Sequence, residues 1–516
     1  MAAGGGNYSI VVDLPNEVAT AQLAAVVAPL LRQGDTVTLA GPLGSGKTTF
    51  ARYLIRLLAR DGALEIPSPT FTLIQTYETF SGPVVHGDLY RIGDAAELAE
   101  IPWDEAGADP IVLVEWPERA GSELPEERLA ITFAASMEQP ETRTVTLEGK
   151  GRWAARLERG LDTGRFLHEA GWGAAERVHI QGDASTRRYE RLIAADGRTA
   201  ILMDAPKQAD GPPVRDGQPY SRLAHLAEDV KPFVAMARGL KARDISVPAI
   251  LAEDLGRGFL LLEDLGLEPL YRDGLPDSER VSAATDLLMR LHSHVLPSEL
   301  PIDAEHVHRI PVFDRPSLMI ELELLLDWHI PYLAANPDAQ VRHRFLELWG
   351  EALAPVLEER TSWSLRDYHS PNLLWLPERA GTARVGVLDF QDAVLGHPAY
   401  DLVSLLQDAR LDVPESLELT LISRYVGGRR MSDIDFDPIM FARCYATLGA
   451  QRATKILGIF VRLLVRDGKP GYLRHIPRLR AYLDRDLAHP ALKDLRHWYA
   501  EHLPLWPAEG RVGGAA

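Results

Sequence analysis

The sequence predicts two modules of different class: an α/β domain over residues 1–150 and an α+β module over residues 166–516, joined by a linker at 151–165. Three observations predict this. A chain of 516 residues exceeds what one ordinary hydrophobic core organises. Up to about residue 150, apolar strands alternate with helix-like stretches around a glycine-rich loop, the pattern of a parallel sheet covered by helices. Further on the pattern changes to short hairpin-like strands and then to long helical stretches. That order implies a small sheet-bearing lobe (about 166–266) followed by a larger helical one (about 267–505).

The composition narrows the class of function. An apolar share of 46% and a charged share of 25% are those of a folded globular chain. No apolar run is long enough to cross a bilayer, and "MAAGGGNYSI" lacks the basic and apolar regions of a secretory signal. The single cysteine, Cys444, excludes an intrachain disulfide and a thiolate zinc cluster and reads as a buried helix residue. These features are expected of a cytoplasmic protein without a membrane role. The net charge of −18 disfavours direct, dominant nucleic-acid binding, which needs a basic face. Small phosphorylated ligands and protein partners suit it better.

In the first module, "DTVTLAG" (Asp35–Gly41) is a strand running into a glycine loop, and Thr48–Gly62 has helical apolar spacing with a glycine stop. "DPIVLVEWP" (Asp109–Pro117) and "RLAITF" (Arg128–Phe133) are further strands. The loop "GPLGSGKT" fits G-x-x-x-x-G-K-[ST] and lies between strand and helix, as a P-loop must. Gly41, Gly44 and Gly46, with Ser45 and Thr49, let backbone N–H groups wrap phosphates at a helix N-terminus. Lys47 is placed to reach the terminal phosphates of ATP, and the Thr48 hydroxyl to ligate Mg²⁺. A P-loop also needs an acid on a neighbouring strand: Glu115, closing "IVLVE", is the best candidate and Asp88 in "VVHGDLYR" the second. The Pro- and Thr-rich "PSPTFTL" (Pro67–Leu73) reads as a loop able to sense the terminal phosphate.

"GPLGSGKTTFAR", "SPTFTL", "HGDLYR" and "LVEWPER" stand in the order found in the TsaE family, and the first module resembles that family over most of residues 10–150. The resemblance implies an α/β P-loop NTPase domain, an ATPase that works by binding the tRNA threonylcarbamoyltransferase complex proteins. Carried onto this chain, it implies phosphate and Mg²⁺ binding by Lys47 and Thr48, a switch loop containing Thr70, water or metal positioning by Asp88, a Mg²⁺-ligating Glu115, and Trp116 packed beside the site.

The stretch "KGRWAARLERGLDTGRFLHEAGW" is charged and helical and reads as a joining helix. Beyond it, "RVHIQGDASTRRYERLIAADGRTAILMDAP" reads as strands with a turn near Gly197, and "GFLLLEDLG" (Gly258–Gly266) as another strand. Transfer of a phosphoryl group to a hydroxyl needs a carboxylate near that hydroxyl and ligands that hold Mg²⁺ against ATP. In "SLRDYHSPNLLW" (Ser364–Trp375), Asp367 and Asn372 have the D-x-x-x-x-N spacing of such loops. Asp389 follows the apolar "VGVL", where a strand-end metal ligand belongs. Asp367 is then the catalytic base or hydroxyl-orienting group, and Asn372 and Asp389 the metal ligands. His369 reads as orienting or structural rather than as a base. Asp401 reads as a helix-start carboxylate or a brace for the loop. Glu263 and Leu265 sit where a hinge grips adenine through backbone groups, and "GDASTRRYER", with Ser185, is a turn able to lie over phosphates.

These segments, with "VLDFQDAVLGHPAYDLVSLLQD" and "KILGIFVRLLVRDGKPGYL", resemble the aminoglycoside-phosphotransferase-like kinases over nearly all of residues 165–500, most closely the AmgK-type anomeric sugar kinases. The resemblance implies a bilobal α+β protein-kinase-like (aminoglycoside phosphotransferase) fold. It also implies ATP-dependent phosphorylation of the anomeric hydroxyl of N-acetylmuramate and N-acetylglucosamine in cell-wall recycling. Two positions depart from the wider kinase pattern. Met203 and Asp204 occupy the place of the usual strand lysine, with Lys207 slightly beyond, a feature shared with the sugar-kinase subgroup. Leu365 stands where a histidine often precedes the catalytic Arg–Asp pair, which bears on the loop's hydrogen-bond scaffold. An aminoglycoside or amino alcohol as acceptor, or a non-catalytic regulatory role for this module, are the alternative readings.

Overall fold

The computed structural model describes residues 7–93, 97, 109–135, 142–180, 187–333, 335–359 and 362–506. The chain forms two compact units, Met1–Arg177 and Val178–Ala516.

The first unit is built on one seven-stranded sheet. In chain order its elements are β1 (Tyr8–Leu14), α1 (Glu17–Val27), β2 (Thr36–Ala40), α2 (Lys47–Ala59), β3 (Ile74–Thr79), β4 (Gly82–Asp88), β5 (Ile111–Glu115), β6 (Leu129–Ala135), β7 (Arg143–Gly149) and α3 (Arg152–Glu169). The strand order is β1-β7-β6-β2-β5-β4-β3. Only the centre is parallel: β2 lies parallel to β5 and β6, and β4 parallel to β5, whereas β3, β7 and β1 pair antiparallel. The expected parallel sheet is therefore a mixed one. Its central strands β2 and β5 are buried almost throughout, while β1 alternates half-buried and exposed residues up to the buried Leu14, as an edge strand does. The expected glycine stop of α2 at Gly62 is also corrected. The helix ends at Arg60, which takes the left-handed conformation (φ 53°) with its guanidinium over the Phe80 ring.

The stretch taken as a linker at 151–165 belongs to this unit. It lies in α3, whose Trp153 and Leu157 are fully buried in the core formed by Val37, Leu39, Phe50 and Leu54. Arg156 donates to Asp35 at 2.5 Å, and Gly160 passes so close to Leu30 that a Cβ there would lie 2.4 Å from a Leu30 methyl. Apolar residues at helical spacing with a charged outer face made this a helix in sequence. What it packs on is a property of the sheet, and that moves the division to Arg177.

The second unit opens with a five-stranded antiparallel sheet, the small lobe. Its elements are β8 (Glu176–Ile180), β9 (Arg188–Ile193), β10 (Thr199–Asp204), α4 (Lys231–Lys241), β11 (Ile250–Asp254) and β12 (Phe259–Glu263), with strand order β11-β12-β10-β9-β8. The turn at Gly197 joins β9 to β10, as its positive φ requires of a tight hairpin. The large lobe contains α5 (Ser278–His292), α6 (Arg315–Leu324), α7 (Ala339–Glu358), the hairpin β13 (Leu373–Trp375) with β14 (Val385–Val387), α8 (Ala399–Leu406), α9 (Glu415–Ser432), α10 (Pro438–Asp467), α11 (Ile476–Asp486) and α12 (Lys493–His502). Asp277, Asp314, Asp338 and Asp437 cap α5, α6, α7 and α10, each accepting from N–H groups of the first turn. One core runs through this unit, and the 30-residue α10 crosses it with Cys444 fully buried, as expected. Among the described residues no helix is long and apolar enough to cross a membrane.

Candidate active sites

In the first unit, β2 delivers the chain into the Gly41–Thr48 loop, and α2 begins at Lys47 with Gly46 (φ 104°) as its cap. Gly41 (φ 136°) has no room for a side chain, since a Cβ would lie 2.3 Å from the Phe133 carbonyl. Arg143, at the start of β7, donates to the Ser45 carbonyl at 3.2 Å and ties the loop to the sheet. Lys47 is 4% exposed: its Nζ donates to the carbonyls of Gly41 (2.8 Å) and Pro42 (3.0 Å) and lies 3.8 Å from the centre of the Trp116 ring. Burial lowers its pKa, opposed by Glu115, Glu118 and Asp88. The buried Ser45 hydroxyl has no hydrogen-bond partner among the described residues.

The parallel register sets Asp88 beside Glu115 at the ends of β4 and β5. Glu115 Oε2 accepts from the Thr48 hydroxyl at 2.9 Å, and its Oε1 lies 3.0 Å from His86 Nε2, within a fully buried histidine. Asp88 accepts from the hydroxyls of Thr70 (2.6 Å) and Ser68 (3.1 Å) and from the Tyr90 N–H (3.0 Å). The structure thus gathers Lys47, Thr48, Thr70, Asp88, Glu115 and Trp116 around one loop. Sequence reading passed over His86 and Arg143. His86 stands two residues before Asp88 on the same face of β4, and that alternation was the available signal.

In the second unit a cavity of about 690 Å³ lies between the lobes. Tyr189, Leu262, Glu263, Asp264 and Leu265 line its small-lobe end, and Asp367, His369, Asn372 and Asp389 line its large-lobe side. Asn372 Nδ2 donates to the Asp367 carbonyl at 3.0 Å and lies 3.5 Å from Asp389 Oδ2. Asp389 also accepts from Gln391 at 2.7 Å and faces Arg187 at 3.4 Å. Burial and the neighbouring Asp367 push its carboxyl up to about 6. Burial works on Asp367 in the same direction, but His369, Lys455, Arg366 and Arg452 outweigh it and hold this carboxyl below the usual range. An ionised Asp367 beside a hydroxyl suits proton acceptance. The oxygen donors of Asn372 and Asp389 suit a hard cation such as Mg²⁺.

Leu365 is buried and apolar, and the loop scaffold comes from elsewhere. Asp401, at the start of α8, accepts the N–H groups of Leu365 (2.7 Å) and Arg366 (2.9 Å). Burial pushes the Asp401 carboxyl up to about 7 against those hydrogen bonds. Arg366 adopts φ 67°, bonds the Ala224 carbonyl and pairs with the fully buried Glu321. His369 Nε2 accepts from Arg410 at 2.9 Å, and burial pulls its imidazole down to about 4, which fits an orienting residue rather than a base. At the strand-lysine place Met203 is buried and Lys207 exposed. The Glu263 carboxylate accepts from the Ala249 N–H and from Arg379. Ser185 lies outside the described residues.

A glycine-rich loop at a helix N-terminus in one unit and an Asp–Asn–Asp cluster between two lobes in the other are two candidate sites of different kinds. The family matches are specific for both. Residues 14–145 match the model "Threonylcarbamoyl adenosine biosynthesis protein TsaE" and residues 176–434 match "Phosphotransferase enzyme family", and the chain belongs to both families, one in each unit. An N-acetylmuramate/N-acetylglucosamine kinase of Caulobacter vibrioides is 38% identical over 67% of this chain and 98% of its own length. A tRNA threonylcarbamoyladenosine biosynthesis protein TsaE of Streptomyces coelicolor is 39% identical over 26% of this chain and 93% of its own. Among solved structures, Bacillus subtilis YdiB is 28% identical, with a TM-score of 0.25, over 31% of this chain and 99% of its own.

Proposed function

We propose that the chain is a bifunctional enzyme. Its second unit transfers the γ-phosphoryl group of ATP to the anomeric hydroxyl of N-acetylmuramate and N-acetylglucosamine, in cell-wall recycling. Its first unit is an ATPase acting in tRNA threonylcarbamoyladenosine modification, with the proteins of the threonylcarbamoyltransferase complex as partners, and both units work in the cytoplasm. The observation that carries the kinase reading is the 38% identity across 98% of the Caulobacter kinase.

In the kinase site Asp367 accepts the proton of the sugar hydroxyl as the hydroxyl attacks. Its ionised state at neutral pH matches that task. Asn372 and Asp389 would hold Mg²⁺, which supplies charge neutralisation at the transferred phosphoryl group. The backbone around Glu263 and Leu265 holds the adenine. In the ATPase site the loop amides, the Ser45 hydroxyl and Lys47 hold the phosphates. Thr48 and Glu115 would hold Mg²⁺, and Asp88 with Thr70 positions the attacking water. The net charge of −18 supports recruitment through protein partners over direct, dominant tRNA capture.

The test is mass spectrometry and phosphorus NMR of reactions of the full chain with ATP and N-acetylmuramate, N-acetylglucosamine or an aminoglycoside. A single phosphoryl group at the anomeric carbon of the amino sugars is expected. Phosphorylation of the aminoglycoside with neither amino sugar modified would overturn the reading. For the first unit, ATP hydrolysis that survives both Lys47→Ala and Glu115→Ala would reduce it to a nucleotide-dependent binding module.

A further inference from the structure

Helix α10 brings Arg452, Lys455, Ile456, Ile459 and Phe460 to the wall of the interlobe cavity. The two cations differ in circumstance. Lys455 is committed: its Nζ donates to Glu321 at 2.6 Å and to the Tyr400 hydroxyl at 3.4 Å. Arg452 is only 5% exposed and makes no hydrogen bond or ion pair among the described residues. Asp367 feels its charge without a hydrogen bond to it, and other carboxylates of this unit are engaged elsewhere. Glu321 serves Arg366, Lys455 and Gln451, and Asp401 serves the catalytic-loop amides. Asp408 accepts the N–H groups of Ser370 and Arg410, and Asp392 that of Ala227. A guanidinium so deeply placed is costly unless an anion meets it. Its planar fork suits a carboxylate, which it binds through two parallel hydrogen bonds.

Arg452 also stands at the acceptor end. Its charge acts on Asp367 and His369, whereas the nucleotide end is marked by Glu263, Asp264 and Leu265. We infer that Arg452 binds a carboxylate of the acceptor, so that the site favours an acid-bearing sugar over its neutral counterpart. The inference rests on the sugar-kinase reading above. N-acetylmuramate and N-acetylglucosamine isolate the group concerned, because they differ by one lactyl ether carrying a carboxylate.

Steady-state kinetics of the full chain on both sugars test it, with Arg452→Met and Arg452→Lys beside the wild type. In Arg452→Met the ratio of kcat/KM for N-acetylmuramate to that for N-acetylglucosamine should fall on the order of 10- to 100-fold, the worth of one charged hydrogen-bonded pair. The change should lie mainly in the KM for N-acetylmuramate, and Arg452→Lys should recover part of it. The methyl ester of N-acetylmuramate, given to the wild type, should show the same loss. That comparison decides the matter if the Met variant does not fold. A ratio unchanged within about threefold, including an equal loss on both sugars, overturns the inference while the sugar-kinase reading stands. A wild type that turns over neither sugar overturns both.

Discussion

At Leu365 the side chain contributes packing, and the hydrogen bonds that fix the catalytic loop run through backbone N–H groups to Asp401. Asp401→Ala would leave two buried N–H groups unsatisfied at about 1–3 kcal/mol each. It should lower stability by several kcal/mol and kcat by at least tenfold, whereas Asp401→Asn, which keeps an acceptor oxygen, should recover most of both. Chemical denaturation and sugar turnover on the pair check this. In the other unit His86 is a positioning residue, because it touches Glu115 and no loop phosphate position. His86→Ala should reduce ATP hydrolysis roughly tenfold or more, with nucleotide affinity little changed, which single-turnover hydrolysis set against nucleotide binding would show. The spacing of Asp367 and Asn372 and the P-loop pattern were legible because local chemistry dictates them. Asp401 was legible as a brace for the loop, but which amides it holds was not, nor were the roles of His86 and Arg452, because each takes its meaning from elements more than twenty residues away.

At the scale of elements, α3 shows where sequence patterns stop. Its helical period is visible in the sequence, but its partners Leu30 and Asp35 belong to the turn before β2, far back in the chain. A fragment ending at Arg177 should therefore melt cooperatively. One ending at Lys150 forfeits the burial of Trp153, about 3–5 kcal/mol for a large aromatic, and should melt far lower or not fold. The antiparallel strands β1, β7 and β3 depart from the expected parallel sheet for a similar reason, since strand period is identical in parallel and antiparallel pairs. A second element-scale case joins α5 to α9, where His292 Nδ1 meets the Tyr425 hydroxyl at 2.8 Å. Burial, with Arg429 and His397 adding to it, holds His292 at about 3, below the 6.5 of a free histidine. The unfolded chain therefore takes up the proton first, so this stability is present above pH 6.5 and is lost as pH falls toward 3. Between pH 7 and pH 5 the wild type should lose about 2 kcal/mol that His292→Gln does not, a difference denaturant titrations at the two pH values resolve.

At the scale of the whole molecule, each unit carries its own core, with Val37, Leu39, Phe50 and Trp153 in one and Leu288, Trp349, Phe390 and Leu457 in the other. Each also carries its own candidate phosphate site among the described residues. For two units with separate cores, effects at independent sites add. Lys47→Ala should therefore abolish ATP hydrolysis by the first unit and leave sugar phosphorylation within about twofold. Asp367→Asn should cut sugar phosphorylation by about 10²–10⁴-fold, the worth of a positioned proton acceptor, and leave that hydrolysis within the same twofold. Hydrolysis measured without sugar and sugar phosphate measured by mass spectrometry separate the two. The double variant supplies the decisive number: its sugar-kinase rate should equal that of Asp367→Asn alone. A rate several-fold lower would mean that the nucleotide state of the first unit biases the second, and the two families joined in this chain would then form one coupled enzyme rather than two independent ones.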